Sequence, residues 1–78
     1  MKAYLLLRTK PGTSDRVIKD IKEQVKGVIQ ADSVYGRFDA IALIEAPDLR
    51  TINEIVYNVI EANPNIIHTE TSIALSEK

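Results

Sequence analysis

His68 is the one histidine in the 78-residue chain, and Glu70 follows it at strand spacing. That pair has the make-up of a general base with an orienting carboxylate. A strand histidine facing water is the plainer reading of the same residues, and it carries more weight. Ser14, Ser33, Ser72 and Ser76 have no flanking glycines to build a nucleophile elbow. Gly12, Gly27 and Gly36 are too scattered to cradle a phosphate. The chain has no cysteine, hence no thiolate and no disulfide framework, and its Asp and Glu residues show no metal-ligand spacing. The expectation is therefore a protein that is not an enzyme, with no catalytic residue and no metal or cofactor.

Binding chemistry is better supplied. In Tyr35-Gly36-Arg37-Phe38-Asp39 a glycine stands where a hairpin must turn, so the backbone can take positive φ and its N–H can approach a ligand closely. Asp39 heads an apolar strand, an unusual place for a charge. It is either paired, solvated at an edge, or open to an incoming cation such as an α-amino group. Satisfying the turn amides is an equally good use for it.

Six elements must position these residues. Met1 to Lys10 reads as a strand whose apolar run Ala3-Tyr4-Leu5-Leu6-Leu7 ends before the Pro11-Gly12 turn. Thr13 or Ser14 is expected to cap a helix through its hydroxyl, with Val17, Ile18, Ile21 and Val25 as the buried stripe and Gly27 as the stop. Val28 to Tyr35 and Asp39 to Ala46 read as two strands of a hairpin. Asp48 is an N-cap for a second helix with the stripe Leu49, Ile52, Ile55, Val56, Val59 and Ile60. Asn63-Pro64-Asn65 breaks it, and Ile67 to Leu75 alternates as a last strand. The order β-α-β-β-α-β with right-handed crossovers predicts an α+β, ferredoxin-like domain over residues 1–78. Its two helices lie on one face of a four-stranded antiparallel sheet.

Ten Lys and Arg against eleven Asp and Glu give a net charge of −1, no electrostatic footing for gripping a nucleic-acid backbone. The cluster Arg16, Lys19, Lys22 and Lys26 is interleaved with Asp15, Asp20 and Glu23 and lacks aromatic residues to stack on bases, so it reads as a solvated helix face. No apolar run approaches the ~18 residues of a membrane span, and no signal pattern opens the chain. The expected location is the cytoplasm.

Two helices cover one side of such a sheet, yet the first and third strands are apolar on both alternations. Leu5 and Leu7 oppose Tyr4 and Leu6; Ile41 and Leu43 oppose Ala40, Ala42 and Ile44. The missing cover is expected from a second copy, a homodimer joined through the sheets.

The hairpin Val34-Tyr35-Gly36-Arg37-Phe38-Asp39-Ala40-Ile41-Ala42-Leu43-Ile44-Glu45-Ala46 and the closing Ile67-His68-Thr69-Glu70-Thr71-Ser72-Ile73-Ala74-Leu75 resemble the effector (RAM) domain of the Lrp/AsnC transcription regulators. The resemblance runs over nearly the whole chain. It implies dimers made by apposed sheets that gather into larger rings, with amino-acid effectors at the contacts between dimers. Gly36, Asp39, Thr69 and Thr71 match the family's hairpin glycine and aspartate and its spaced threonines, and Tyr35 and Arg37 flank them. In that setting Asp39 would take the ammonium group, while the threonine hydroxyls, the Gly36 or Arg37 N–H and the Arg37 guanidinium would take the carboxylate. The family's regulators carry a helix-turn-helix ahead of this domain, and this sequence starts at the first strand. The resemblance thus implies a stand-alone effector domain that assembles with itself or with full-length regulators and does not contact DNA directly. The same topology also serves small dimeric α/β-barrel enzymes, for which His68 would be the base, and ACT-type amino-acid modules that pair edge to edge.

Overall fold

The computed structural model describes residues 1–75; residues 76–78, Ser76 among them, lie outside the described residues. Strand β1 (Lys2–Thr9) alternates as a half-buried strand should: Ala3, Leu5, Leu7 and Thr9 point inward, while Tyr4 and Arg8 point out. After a turn through Gly12 (φ +79°) comes α1 (Ser14–Gln24), which buries Val17, Ile18 and Ile21. Thr13 is the N-cap, but its hydroxyl donates backward to the Lys10 carbonyl at 2.7 Å and leaves the helix N–H groups uncapped. The turn, not the helix, uses the side chain.

Helix α1 ends at Gln24, with Val25 already extended, three residues before Gly27. Gly27 serves a different purpose from the expected helix stop. A Cβ there would collide with the Glu45 carbonyl oxygen, and the Glu45 N–H donates to the Gly27 carbonyl at 2.7 Å. Backbone approach of that kind admits no side chain.

Strands β2 (Val28–Ser33) and β3 (Ala40–Glu45) form the hairpin and are each shorter than the pattern implied. Asp48 caps α2 (Leu49–Ile55): its Oδ1 accepts from the Thr51 N–H at 2.9 Å and from the Thr51 hydroxyl at 2.8 Å. These two bonds, backbone first, hold its carboxyl below the ordinary value of 3.8. The helix then widens into a π-helical turn, Val56–Ile60, closed by the Glu61 N–H donating to the Val56 carbonyl at 2.8 Å. The widening has a packing cause. At 3.6 residues per turn, the eight residues from Ile52 to Ile60 overshoot two turns by about 80°. An i→i+5 turn winds less per residue and takes up that excess. Ile52 and Ile60 are both fully buried, whereas Leu49, expected on the same stripe, is about half exposed.

Strand β4 (Ile66–Ile73) closes the sheet, whose order is β2-β3-β1-β4 with antiparallel pairing throughout. The fold is ferredoxin-like. Leu5, Leu7, Ala40, Ala42 and Ile44 meet Val17, Ile18, Ile21, Ile52 and Ile60 in one core. On the other face, Tyr4 pairs with Leu43 and Leu6 with Ile41. These four side chains form a contiguous apolar block with no helix over it among the described residues. Tyr4 is 44% exposed and the other three are half-buried. Gln30 and Asp32 on β2 and Glu70 and Ser72 on β4 frame the block.

Candidate functional site

The loop between β2 and β3 is pinned at its base. The Val34 N–H donates to the Asp39 carbonyl at 2.9 Å, and the Asp39 N–H to the Leu7 carbonyl at 2.8 Å. The half-buried Asp39 side chain reaches across to β1, where Oδ2 accepts the Thr9 N–H at 2.8 Å. This carboxylate therefore satisfies an amide, that of the neighbouring strand and not of its own turn. Among the described residues its other oxygen has no partner, so acceptor capacity is left for a ligand. Beyond this base, Gly36 takes φ +154°, a conformation that side-chain-bearing residues avoid. Tyr35 is fully exposed and Arg37 lies 6.0 Å from the Phe38 ring centroid.

Thr69 and Thr71 lie on the helix-facing side of β4, opposite Leu7 and Leu5 respectively. A row runs across the sheet from Ser33 through Ala40 and Leu7 to Thr69. Asp39 immediately precedes Ala40, so Asp39 and Thr69 come to the same end of the sheet with β1 between them. Thr71 is two positions further along β4 and is exposed. Tyr35, Gly36 and Arg37 project past the strands and make no hydrogen bond to either threonine; Asp39 and Thr69 share one end of the sheet, one strand apart from each other, and the loop tip stands away from both.

The Thr69 hydroxyl is buried and, among the described residues, has no hydrogen-bond partner. Thr69 is one of the residues lining an open crevice of about 290 Å³, with Glu61, Ile66, Ile67 and His68, and its hydroxyl lies beneath that surface. The register between β1 and β4 slips here: Arg8 faces His68, but Thr9 faces Ile66, so Ile67 is the extra residue of a β-bulge and is 60% exposed. Glu61 and the two isoleucines escaped the sequence reading. One signal for Glu61 was present, since a carboxylate at a helix C-terminus opposes the macrodipole and calls for another reason to be there.

His68 lies at the rim of this crevice and not in an enclosed cavity. Its Nε2 is 3.3 Å from Glu70 Oε2, with both side chains about half exposed. Among the described residues no group of three or more His, Asp or Glu side chains converges on a metal-sized site. No helix among them is long and apolar enough to cross a membrane.

Comparison with known proteins follows the same lines. The family described as the Lrp/AsnC ligand binding domain matches residues 2–78. A hypothetical protein from Pyrococcus horikoshii is 29% identical with a TM-score of 0.89, covering 97% of this chain and 90% of its own. A protein from Thermus thermophilus is 25% identical with a TM-score of 0.90, covering 99% and 95%. A transcriptional regulator from Neisseria meningitidis, solved as a complex with L-Met, shares the fold at a TM-score of 0.79 and 13% identity. That match covers 97% of this chain and 50% of the regulator. No match is found among curated proteins.

Proposed function

This chain belongs to the Lrp/AsnC ligand-binding domain family, and from that membership we propose that it is a regulator that binds an amino-acid effector and acts through its assembly state. The effector seats at the sheet end that holds Asp39 and Thr69. Asp39 receives the ammonium group, the Thr69 and Thr71 hydroxyls receive the carboxylate, and the Tyr35-Gly36-Arg37 tip contributes from a neighbouring dimer. The observation that carries this reading is the buried Thr69 hydroxyl, which is desolvated with no partner among the described residues of its own chain. A polar group in that state is costly unless something completes it, and a ligand carboxylate does so.

Two copies meet through the apolar block of Tyr4, Leu6, Ile41 and Leu43. Sequestering several hundred Å² of such surface at ~25 cal/mol per Å² contributes on the order of 10 kcal/mol before association costs. Dimers then gather into larger assemblies, alone or with full-length regulators of the family. The effector regulates by favouring one assembly over another through differential affinity.

Calorimetric titration of the full chain with the common amino acids tests the proposal, with sedimentation run on the same samples. Saturable binding of at least one amino acid, accompanied by a shift in the assembly distribution, is the expected result. Silence across the whole set refutes it. For the dimer contact, Leu43→Glu is expected to yield a folded monomer, and an undisturbed dimer would overturn the sheet-to-sheet assignment.

A further inference from the structure

Two departures from regular structure and one unsatisfied polar atom meet at the crevice beside Thr69. The π-helical turn Val56–Ile60 ends at Glu61, the β-bulge of β4 turns Ile67 outward, and the Thr69 hydroxyl is buried without a partner among the described residues. Single π-turns and β-bulges both recur at functional sites, where they re-aim side chains. Packing of Ile52 and Ile60 accounts for the winding of the helix. It does not account for why a carboxylate follows directly, at the negative end of the helix dipole.

The crevice walls set the ligand chemistry. Ile66 and Ile67 supply an apolar flank, and Glu61 supplies a carboxylate with no ion pair or side-chain hydrogen bond among the described residues. Arg8, across from His68, and Lys10, whose N–H donates to the Asn65 carbonyl at 2.9 Å, are the cations at this end of β1, and neither is paired with Glu61. A carboxylate beside the last helix carbonyls, unpaired among the described residues, can receive a cation, and an aliphatic wall leading to it fits a methylene chain that ends in one. Resting on the effector reading above, we infer that this crevice receives the side chain of a basic aliphatic amino acid and that Glu61 is the specificity-determining residue.

Lysine and norleucine isolate the point, because they share the aliphatic chain and differ in the terminal ammonium. Titration calorimetry of the full chain is expected to give lysine at least about tenfold tighter binding than norleucine. Glu61→Gln, an exposed substitution that leaves the core intact, should bring the two within about threefold while norleucine affinity holds. Norleucine or another neutral amino acid binding as well as lysine overturns this inference and leaves the effector reading standing. An unchanged lysine preference in Glu61→Gln likewise removes Glu61 from the role. Absence of binding by every amino acid sinks both.

Discussion

Replacing Thr69 with valine exchanges a hydroxyl for a methyl of nearly the same shape, at a point where the hydroxyl is buried and has no partner among the described residues. Leaving such a group desolvated costs about 1–3 kcal/mol, and removing it recovers that cost without opening a cavity. Thr69 as a whole is half-buried, so the lower part of the range applies. Thr69→Val is therefore expected to stabilise the free protein by about 1 kcal/mol, which for a domain of this size raises Tm by about 4–8 °C. Urea titrations and thermal melts of both proteins at one fixed protomer concentration read the difference, since oligomer stability depends on concentration. On the proposed effector reading, the same substitution also removes one hydrogen bond to the ligand and should weaken its binding about tenfold. Gain of stability with loss of affinity is the signature of a group kept for a ligand. A less stable Thr69→Val protein would mean that the hydroxyl is already satisfied in the free chain, and the effector assignment would lose its main support.

Three further outcomes follow from the geometry. Asp39→Ala removes the acceptor of the Thr9 N–H and should cost about 1–2 kcal/mol in denaturant titrations, whereas Asp39→Asn keeps an acceptor and should separate loss of binding from loss of stability. Gly27→Ala drives a methyl into the Glu45 carbonyl and should destabilise by more than about 3 kcal/mol or abolish folding; a well-folded variant would show that the two strand ends can part. Thr51 holds the Asp48 carboxyl below its ordinary 3.8, so its stabilising contribution is complete above that value and is lost as pH falls through the lower folded value. Melts of wild type and Asp48→Ala should accordingly differ at neutral pH and converge in acid, and a gap that persists at the lowest pH would contradict the cap.

Much of the architecture was legible because it rests on local periodicity. The opposed sets Leu5/Leu7 and Tyr4/Leu6 gave the two faces of β1, and the alternation after Pro64 gave β4. What escaped depends on neighbours far along the chain. Gly27 is explained by Glu45, eighteen positions on; the bulge at Ile67 by a slip against Arg8 and Thr9; the π-turn by the need to bury Ile52 and Ile60 together. Thr13 shows a subtler limit, for its hydroxyl had two nearby uses and the turn took it. At the site, the Gly36-to-Asp39 segment drew notice through its residue types. The crevice of Glu61, Ile66 and Ile67 did not, because a pocket made between a helix end and a bulged strand has no signature in either segment alone.

The slip at Ile67 also bears on how copies of the chain avoid sticking together uncontrollably. A straight outer strand is a template on which another chain can zip, and such contacts propagate into ribbons without end. The bulge near the start of β4 interrupts its row of amides, which hinders a neighbour from pairing in register along the whole strand. The sheet-to-sheet pairing proposed above uses the flat side of the layer instead of this rim, and a two-fold contact of that kind closes on itself and stops.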